Sequence, residues 1–234
     1  MYKRVLLKLS GEQLAGKFDA GIDPDVATYF AKEVKKAQSA GIQIVIVVGG
    51  GNLVRGAEVA GHGIRRVTGD HMGMLSGLIN SMAMTDIFEA QGISTRCLSN
   101  IFADQVAEMY SFRRADKHLS QNRVVIVAGG IGRPYFTHDT AAVNVALELS
   151  CEIVLKATKV DGVYDKDPAK HGDAKKFDEL PYQQALENEA IKVMDKAALG
   201  LAMEQDMPVL VFDAMAEGNL GRVLAGDTIG TKVS

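Results

Sequence analysis

Long apolar runs are missing from this sequence. Nothing approaches the roughly 18 residues that a membrane-spanning helix needs. The apolar segment Val5–Leu7, behind Lys3 and Arg4, is too short for the core of a secretion signal. Cysteine is scarce. Cys97 and Cys151 are the two, far apart, so no metal or redox motif can be built from cysteine alone. They read as reduced core thiols in a reducing compartment. An excess of positive charge is missing too. Lys and Arg number 26 against 29 Asp and Glu, a net charge of −3, whereas a general nucleic-acid binder is usually basic. Any anionic ligand must therefore be held by a local group of cations. Repeats and low-complexity linkers are also absent. The expectation is a cytoplasmic protein with no membrane contact and no nucleic acid as substrate.

What is present suits an ordinary α/β domain. At 47% hydrophobic residues the chain can bury a sizeable core. Six runs rich in Val, Ile and Leu read as buried parallel strands: Arg4–Leu9, Ile42–Val48, Thr95–Leu98, Arg123–Ala128, Ile153–Ala157 and Val209–Phe212. Helical patterns fall between most of them. Asp23-Pro24 is a start signal, Val26, Phe30, Val34 and Ala37 repeat at helical spacing, and Gly41 is the stop. Met72, Leu75, Ile79 and Met82 mark a second amphipathic helix ending near Gly92. Met72, Met74, Met82 and Met84 read as core filling. Alternating strands and helices predict a mostly parallel sheet covered on both faces. The polar, turn-rich stretch from Asp161 to Lys176 reads as an exposed loop.

The glycines are placed unevenly. Ser10-Gly11 follows the first strand, Gly49-Gly50-Gly51 the second, and Gly129-Gly130 with Gly132 the fourth. In open α/β sheets, ligands bind outside the carboxyl ends of the strands. Glycine there lets backbone N–H groups approach a phosphate. The segment Gly11–Phe18 nearly spells a P-loop, but Phe18 stands where Ser or Thr must hold Mg²⁺, and a loop rather than a helix follows. The P-loop reading is rejected.

Four blocks together resemble the bacterial uridylate (UMP) kinases of the amino acid kinase superfamily. They are Lys8-Leu9-Ser10-Gly11-Glu12, Gly49 to Gly56, Gly69-Asp70-His71-Met72-Gly73-Met74, and Lys156 to Tyr164. The resemblance runs nearly end to end. It implies a three-layer α/β/α sandwich with a mostly parallel central sheet, the amino acid kinase fold. It implies a single domain over residues 1–234, with an acceptor-binding part at about 1–150 and an ATP-binding part at about 151–234. The implied activity is transfer of the ATP γ-phosphoryl group to UMP in pyrimidine nucleotide biosynthesis, with Mg²⁺ accompanying ATP, in a homohexamer.

The resemblance also implies roles by position. Lys8, Leu9, Ser10 and Gly11 match the segment holding the ATP phosphates. Gly50 matches a backbone contact to UMP, Gly51 one to ATP, and Arg55 the arginine at the phosphates. Asp70 matches the carboxylate that binds the UMP ribose. The acceptor loop is Ile131, Gly132, Arg133, Pro134, Tyr135, Phe136, Thr137 and His138. Thr158, Tyr164 and Asp167 match the adenosine side. Asp139 and Asp195 match acidic positions near the reacting phosphates. No residue is assigned as a metal ligand, and His62, His71, His118 and His171 show no metal spacing. Many relatives respond to GTP as activator and UTP as inhibitor. Arg96 and Arg123 match basic positions of the GTP site, whereas a third such position is Thr85.

Chemistry supports these assignments, and each has a structural alternative. A monophosphate is already a nucleophile, so the task is to align two polyanions and neutralise the moving charge. Lys8 suits this as a point charge, Arg55 as a planar fork. Yet Lys8 could be a snorkelling strand residue, and Asp70 could cap the helix expected to begin there. Tyr164 could be a core aromatic and Asp167 a turn former. Ile131, Arg133 and His138 depart from the usual Thr, Asn and Thr of the family, which leaves strictness for UMP over CMP or dUMP open. Two other readings stay open at this point. One is a superfamily kinase for another small acceptor. The other is a non-enzymatic nucleotide-binding or storage protein.

Overall fold

The computed structural model describes residues 2–60, 63–191 and 193–234. His62 lies outside the described residues. Strand β1 (Arg4–Leu9) runs through the middle of the molecule, buried from Val5 onward. Side chains of a strand alternate between faces. Val5, Leu7 and Leu9 accordingly join one apolar cluster, with Phe30 and Val34 of α2 (Pro24–Ser39) and Phe88 of α4 (Arg66–Ala90). Leu6 joins the opposite cluster, with Ala142 and Val145 of α6 (His138–Glu148). Lys8 is in phase with Leu6 and faces the α6 layer.

The sheet has the order β4 (Glu108–Met109), β3 (Thr95–Ser99), β5 (Val124–Ala128), β2 (Gln43–Val48), β1, β6 (Val154–Thr158), β8 (Val209–Asp213), β9 (Thr231–Val233), β7 (Glu179–Leu180). Neighbouring strands pair parallel except β8 with β9. The helices α2, α4 and α9 (Asn219–Ala225) cover one face. The other is covered by α5 (Phe112–Ser120), α6, α7 (Tyr182–Glu187) and α8 (Lys196–Glu204). Two single-turn helices, α1 (Gly11–Leu14) and α3 (Gly56–Val59), follow β1 and β2. The three-layer α/β/α sandwich with a mostly parallel sheet is thus the observed fold. All six expected strands are present within one residue at each end. Asp23 caps α2 as expected, with Pro24 at its first position and Gly41 at φ 87° beyond its end. Cys97 and Cys151 are buried free thiols, both pushed up to about 12 chiefly by burial.

Helix α4 departs from expectation in two ways. It begins at Arg66, so Asp70 lies a full turn inside it and does not cap it. Its buried face is also not the Met72–Leu75–Ile79–Met82 stripe. Leu75, Ile79 and Met82 are 50%, 51% and 36% exposed. The buried residues are Met74, Leu78, Met84 and Phe88, interleaved with the small Ser76, Gly77 and Ser81. Met82 is therefore not core filling. Small residues face inward because α4 packs close against the glycine turn after β2. A Cβ on Gly50 would come within 2.5 Å of the Ser76 Cβ and 2.6 Å of the Gly73 carbonyl.

Candidate functional site

The parallel strands β1, β2, β5 and β6 end at one edge, and the glycine turns after β1, β2 and β5 gather there. Backbones approach so closely that a Cβ on Gly11 would stand 2.6 Å from the Gly49 carbonyl. Among the described residues, no hydrogen bond takes up the backbone N–H of Gly50 or Gly51. The capping box of α1, in which Ser10 and Gln13 bond reciprocally, holds the first turn in shape. Two cavities open along this rim. One of about 220 Å³ is lined by Lys8, Ser10, Gly11, Asp139 and Asp195. The other, about 400 Å³, is lined by Arg55, Asp70, Met74 and Phe136. Glu12, Gly50, Gly51, Thr137 and His138 belong to the walls of both. Lys8, Arg55 and the Gly49–Gly51 turn therefore share one side of the molecule.

A buried ionic triad lies between the smaller cavity and a neighbouring one of about 610 Å³ that Asp139, Lys156 and Asp195 line. Lys8 and Lys156 are register partners on β1 and β6. Lys8 Nζ stands 2.6 Å from Asp139 Oδ1, and Lys156 Nζ 2.7 Å from Asp139 Oδ2. Lys156 also donates to the Val193 carbonyl. Burial alone would raise the Asp139 carboxyl, but Lys8 and then Lys156 override it and hold it well below the usual carboxylate range. Burial pushes the Lys156 ammonium down, against the pull of Asp139. Within the triad two cations share one anion, while the Asp195 and Glu12 carboxylates stand on the walls of the same cavity.

Residues expected on the acceptor side are tied together by Asp70. It accepts from Arg66 Nε at 2.8 Å and from the backbone N–H of Tyr135 at 2.8 Å. Tyr135 sits at φ 68°, a backbone region rare for residues other than glycine, and the Arg66 guanidinium lies over its ring. Phe136, Thr137 and His138 line the larger cavity, whereas Ile131 packs on the core and Arg133 is exposed. Arg55 pairs with Glu12 and, at 3.4 Å, with Glu58. Asp195 caps α8 and accepts from Thr137 and Thr140, so it links α8 to the acceptor loop and to α6.

The remaining predicted residues are spread more widely. The Leu9 side chain is fully buried, and its carbonyl accepts from the Gly49 N–H at 3.0 Å. Tyr164 and Asp167 line a separate cavity of about 340 Å³ with Val160 and Pro168. Thr158 spends its hydroxyl on the Val160 and Phe212 carbonyls. Arg96 and Arg123 lie at the starts of β3 and β5, the edge opposite the glycine rim. Arg96 pairs with Glu89 at 2.8 Å and Arg123 with His118 Nδ1 at 3.0 Å. Thr85 donates to the Ser81 carbonyl. Lys156 and Glu12 stand in the blocks that carry the resemblance, but the sequence reading assigns neither a role. The signal for Lys156 was available: it interrupts Val154–Thr158 at the position where Lys8 interrupts β1. A larger hollow of about 930 Å³ beside Lys32, Lys36 and Glu217 is remote from this chemistry.

Residues 3–213 match the amino acid kinase family. The uridylate kinase of Xanthomonas euvesicatoria pv. vesicatoria is 50% identical over 232 residues, 99% of this chain and 96% of that relative. Among solved structures, a UMP kinase from Bacillus anthracis superposes with a TM-score of 0.95 at 35% identity, covering 100% of this chain and 96% of that one. A UMP kinase from Ureaplasma parvum gives 0.93 at 31% identity, with 100% and 99% coverage. The chain belongs to the amino acid kinase family, among the uridylate kinases.

Proposed function

We propose that this chain is a nucleoside monophosphate kinase that transfers the γ-phosphoryl group of ATP to UMP, giving ADP and UDP, a reversible step of pyrimidine nucleotide biosynthesis. The observation that carries this reading is the Lys8–Asp139–Lys156 knot beneath a glycine rim that walls two adjoining cavities. A phosphate oxygen of UMP attacks the γ-phosphorus, and the bond to the ADP oxygen breaks. No general base is required. Catalysis is alignment plus charge neutralisation. Lys8 meets the charge in transit, and Asp139 fixes where its ammonium points. Lys156 shares Asp139 and so offsets the carboxylate that Lys8 faces. The N–H groups of Gly50 and Gly51 add fixed dipoles, and Arg55 supplies a two-pronged grip on phosphate.

The acceptor occupies the cavity of Asp70, with the ribose on that carboxylate and the loop from Ile131 to His138 around it. ATP lays its phosphates along Lys8, Leu9, Ser10, Gly11 and Gly51 and its adenosine toward Thr158, Tyr164 and Asp167. Both acceptor-cavity walls come from residues before 150 and the Tyr164 cavity from residues after it. That division supports one domain with an acceptor part at about 1–150 and an ATP part at about 151–234. Mg²⁺ would supply charge neutralisation on the ATP phosphates. Among the described residues no cluster of three His, Cys, Asp or Glu side chains could hold a metal. Mg²⁺ generally keeps several waters and takes few protein ligands. Asp139 and Asp195 both line this cavity, the first paired with two lysines and the second accepting from Thr137, Thr140 and the Ala198 N–H, and either would face that hydration shell.

The protein is proposed to act in the cytoplasm as a homohexamer. The exposed Leu75, Ile79 and Met82 face of α4 supports association between copies. No helix among the described residues is long and apolar enough to cross a membrane. Arg96 and Arg123 are proposed to serve GTP activation, with UTP as inhibitor.

ADP release measured with UMP, CMP, dUMP, AMP and no acceptor tests the activity. UMP is expected to give the fastest release. Nucleotide binding without release in any well would favour the storage reading instead.

A further inference from the structure

His138 opens α6 at the junction of the two cavities and lines both. Its Nε2 is sealed from solvent and has no hydrogen-bond partner. A Cβ placed on Gly77 of α4 would stand 2.7 Å from this nitrogen and 3.5 Å from Cε1. The imidazole therefore fits only because residue 77 has no side chain. It is held by packing and not by polar contacts, since among the described residues no hydrogen bond reaches Nδ1 either. A buried polar group without a partner is costly and uncommon. With Nε2 closed in against α4, Nδ1 is the nitrogen left to a ligand.

We propose that Gly77 and His138 form a matched pair that positions the acceptor phosphate: Gly77 gives the ring its place, and the ring offers Nδ1 to the phosphate where the two cavities meet. This rests on the reading of the larger cavity as the UMP site. The ring is neutral at working pH. Burial, and then Lys8, lower it to about 4, against the opposing pull of Asp139. An uncharged donor there orients the phosphate without adding a third cation beside Lys8 and Lys156. It therefore acts on acceptor binding and alignment, whereas Lys8 acts on the moving charge.

The test is a kinetic cycle on the full-length enzyme: unaltered, His138→Ala, Gly77→Ala, the double variant, and His138→Asn, which keeps an N–H donor. UMP is varied at saturating ATP, then ATP at saturating UMP. His138→Ala is expected to raise the UMP KM about tenfold, the scale of losing one hydrogen bond to a charged group, with the ATP KM within about twofold of its original value. His138→Asn should recover part of the loss. Gly77→Ala should reproduce the UMP defect by displacing the ring, yet add nothing in the His138→Ala background. An unchanged UMP KM in His138→Ala overturns the proposal, as does an equal rise in the ATP KM. Additive Gly77 and His138 effects overturn it too. If melting shows that Gly77→Ala does not fold, the His138→Ala and His138→Asn pair decides alone. Absence of UMP-dependent ADP release in the unaltered protein would remove the activity reading itself. Normal release with an indifferent His138→Ala would remove only this pair.

Discussion

Lys8 and Lys156 stand opposite each other on β1 and β6, and their ammonium groups close on the two oxygens of one carboxylate, Asp139. Each lysine interrupts an apolar run at the point where its strand reaches the glycine rim. Because alternation sends both toward the α6 layer, neither can avoid the first turn of α6, where Asp139 sits. Lys8→Ala should slow turnover by on the order of 10²–10³, the scale of deleting one preorganised electrostatic contact. The KM for UMP should change little. Steady-state rates at saturating ATP and UMP check this, and a near-normal kcat would remove Lys8 from the chemistry.

Asp139 is proposed to serve structure as well as catalysis. Asp139→Asn would leave two buried ammonium groups facing each other, a loss of about 3 kcal/mol on the scale of breaking one partner of a buried ion pair. For a chain of this size that is roughly 6–12 °C in melting temperature. Turnover should fall with it. The folded carboxyl sits below its ordinary range, so its contribution to stability is complete above the unfolded carboxyl value of about 4 and is lost as pH falls below that. Calorimetric melting of the unaltered protein and of Asp139→Asn should therefore differ most at neutral pH and converge in acid. A constant gap from pH 7 to 3 would contradict the linkage.

Asp70 lies inside α4 and pins the acceptor loop through the Tyr135 N–H. Asp70→Asn removes the negative charge that pairs with Arg66 and one strong acceptor. The UMP KM should rise about tenfold or more, as for a lost hydrogen bond to a charged group. The ATP KM should hold. A variant with unaltered UMP kinetics and only a lowered melting temperature would make Asp70 a structural residue.

The outward face of α4 offers a different kind of experiment. Ile79 is half exposed between Leu75 and Met82. A charge there touches no buried core, so Ile79→Arg should keep the fold while weakening contact between copies. Light scattering on a sizing column should show a smaller assembly at the same protein concentration. An unchanged mass would place the interface elsewhere.

Some features were legible in the sequence because they depend on short-range chemistry. The six main strands were found within a residue, since near-continuous Val, Ile and Leu runs end abruptly at glycine. Strands β4, β7 and β9 were not anticipated, because two or three residues carry no period to detect. The α4 stripe was legible as apolar, but apolarity does not say what covers it. Here the inward face is small because two backbones must meet, and the larger side chains were left outside. Asp70 resembles a cap because Asp is a preferred N-cap residue, whereas the actual cap, Arg65, makes no side-chain capping bond and gives no signal to read.

The sequence by itself determined the layers, the sheet and the rim, because alternation, helix spacing and glycine placement act between near neighbours. Only the tertiary structure decided that Asp139 binds two lysines rather than one, that Arg55 rests on Glu12, and that His138 lies in the space Gly77 leaves. Those pairings join residues from separate elements. Their distances depend on how strands are ordered and how closely helices settle, and no local pattern encodes either.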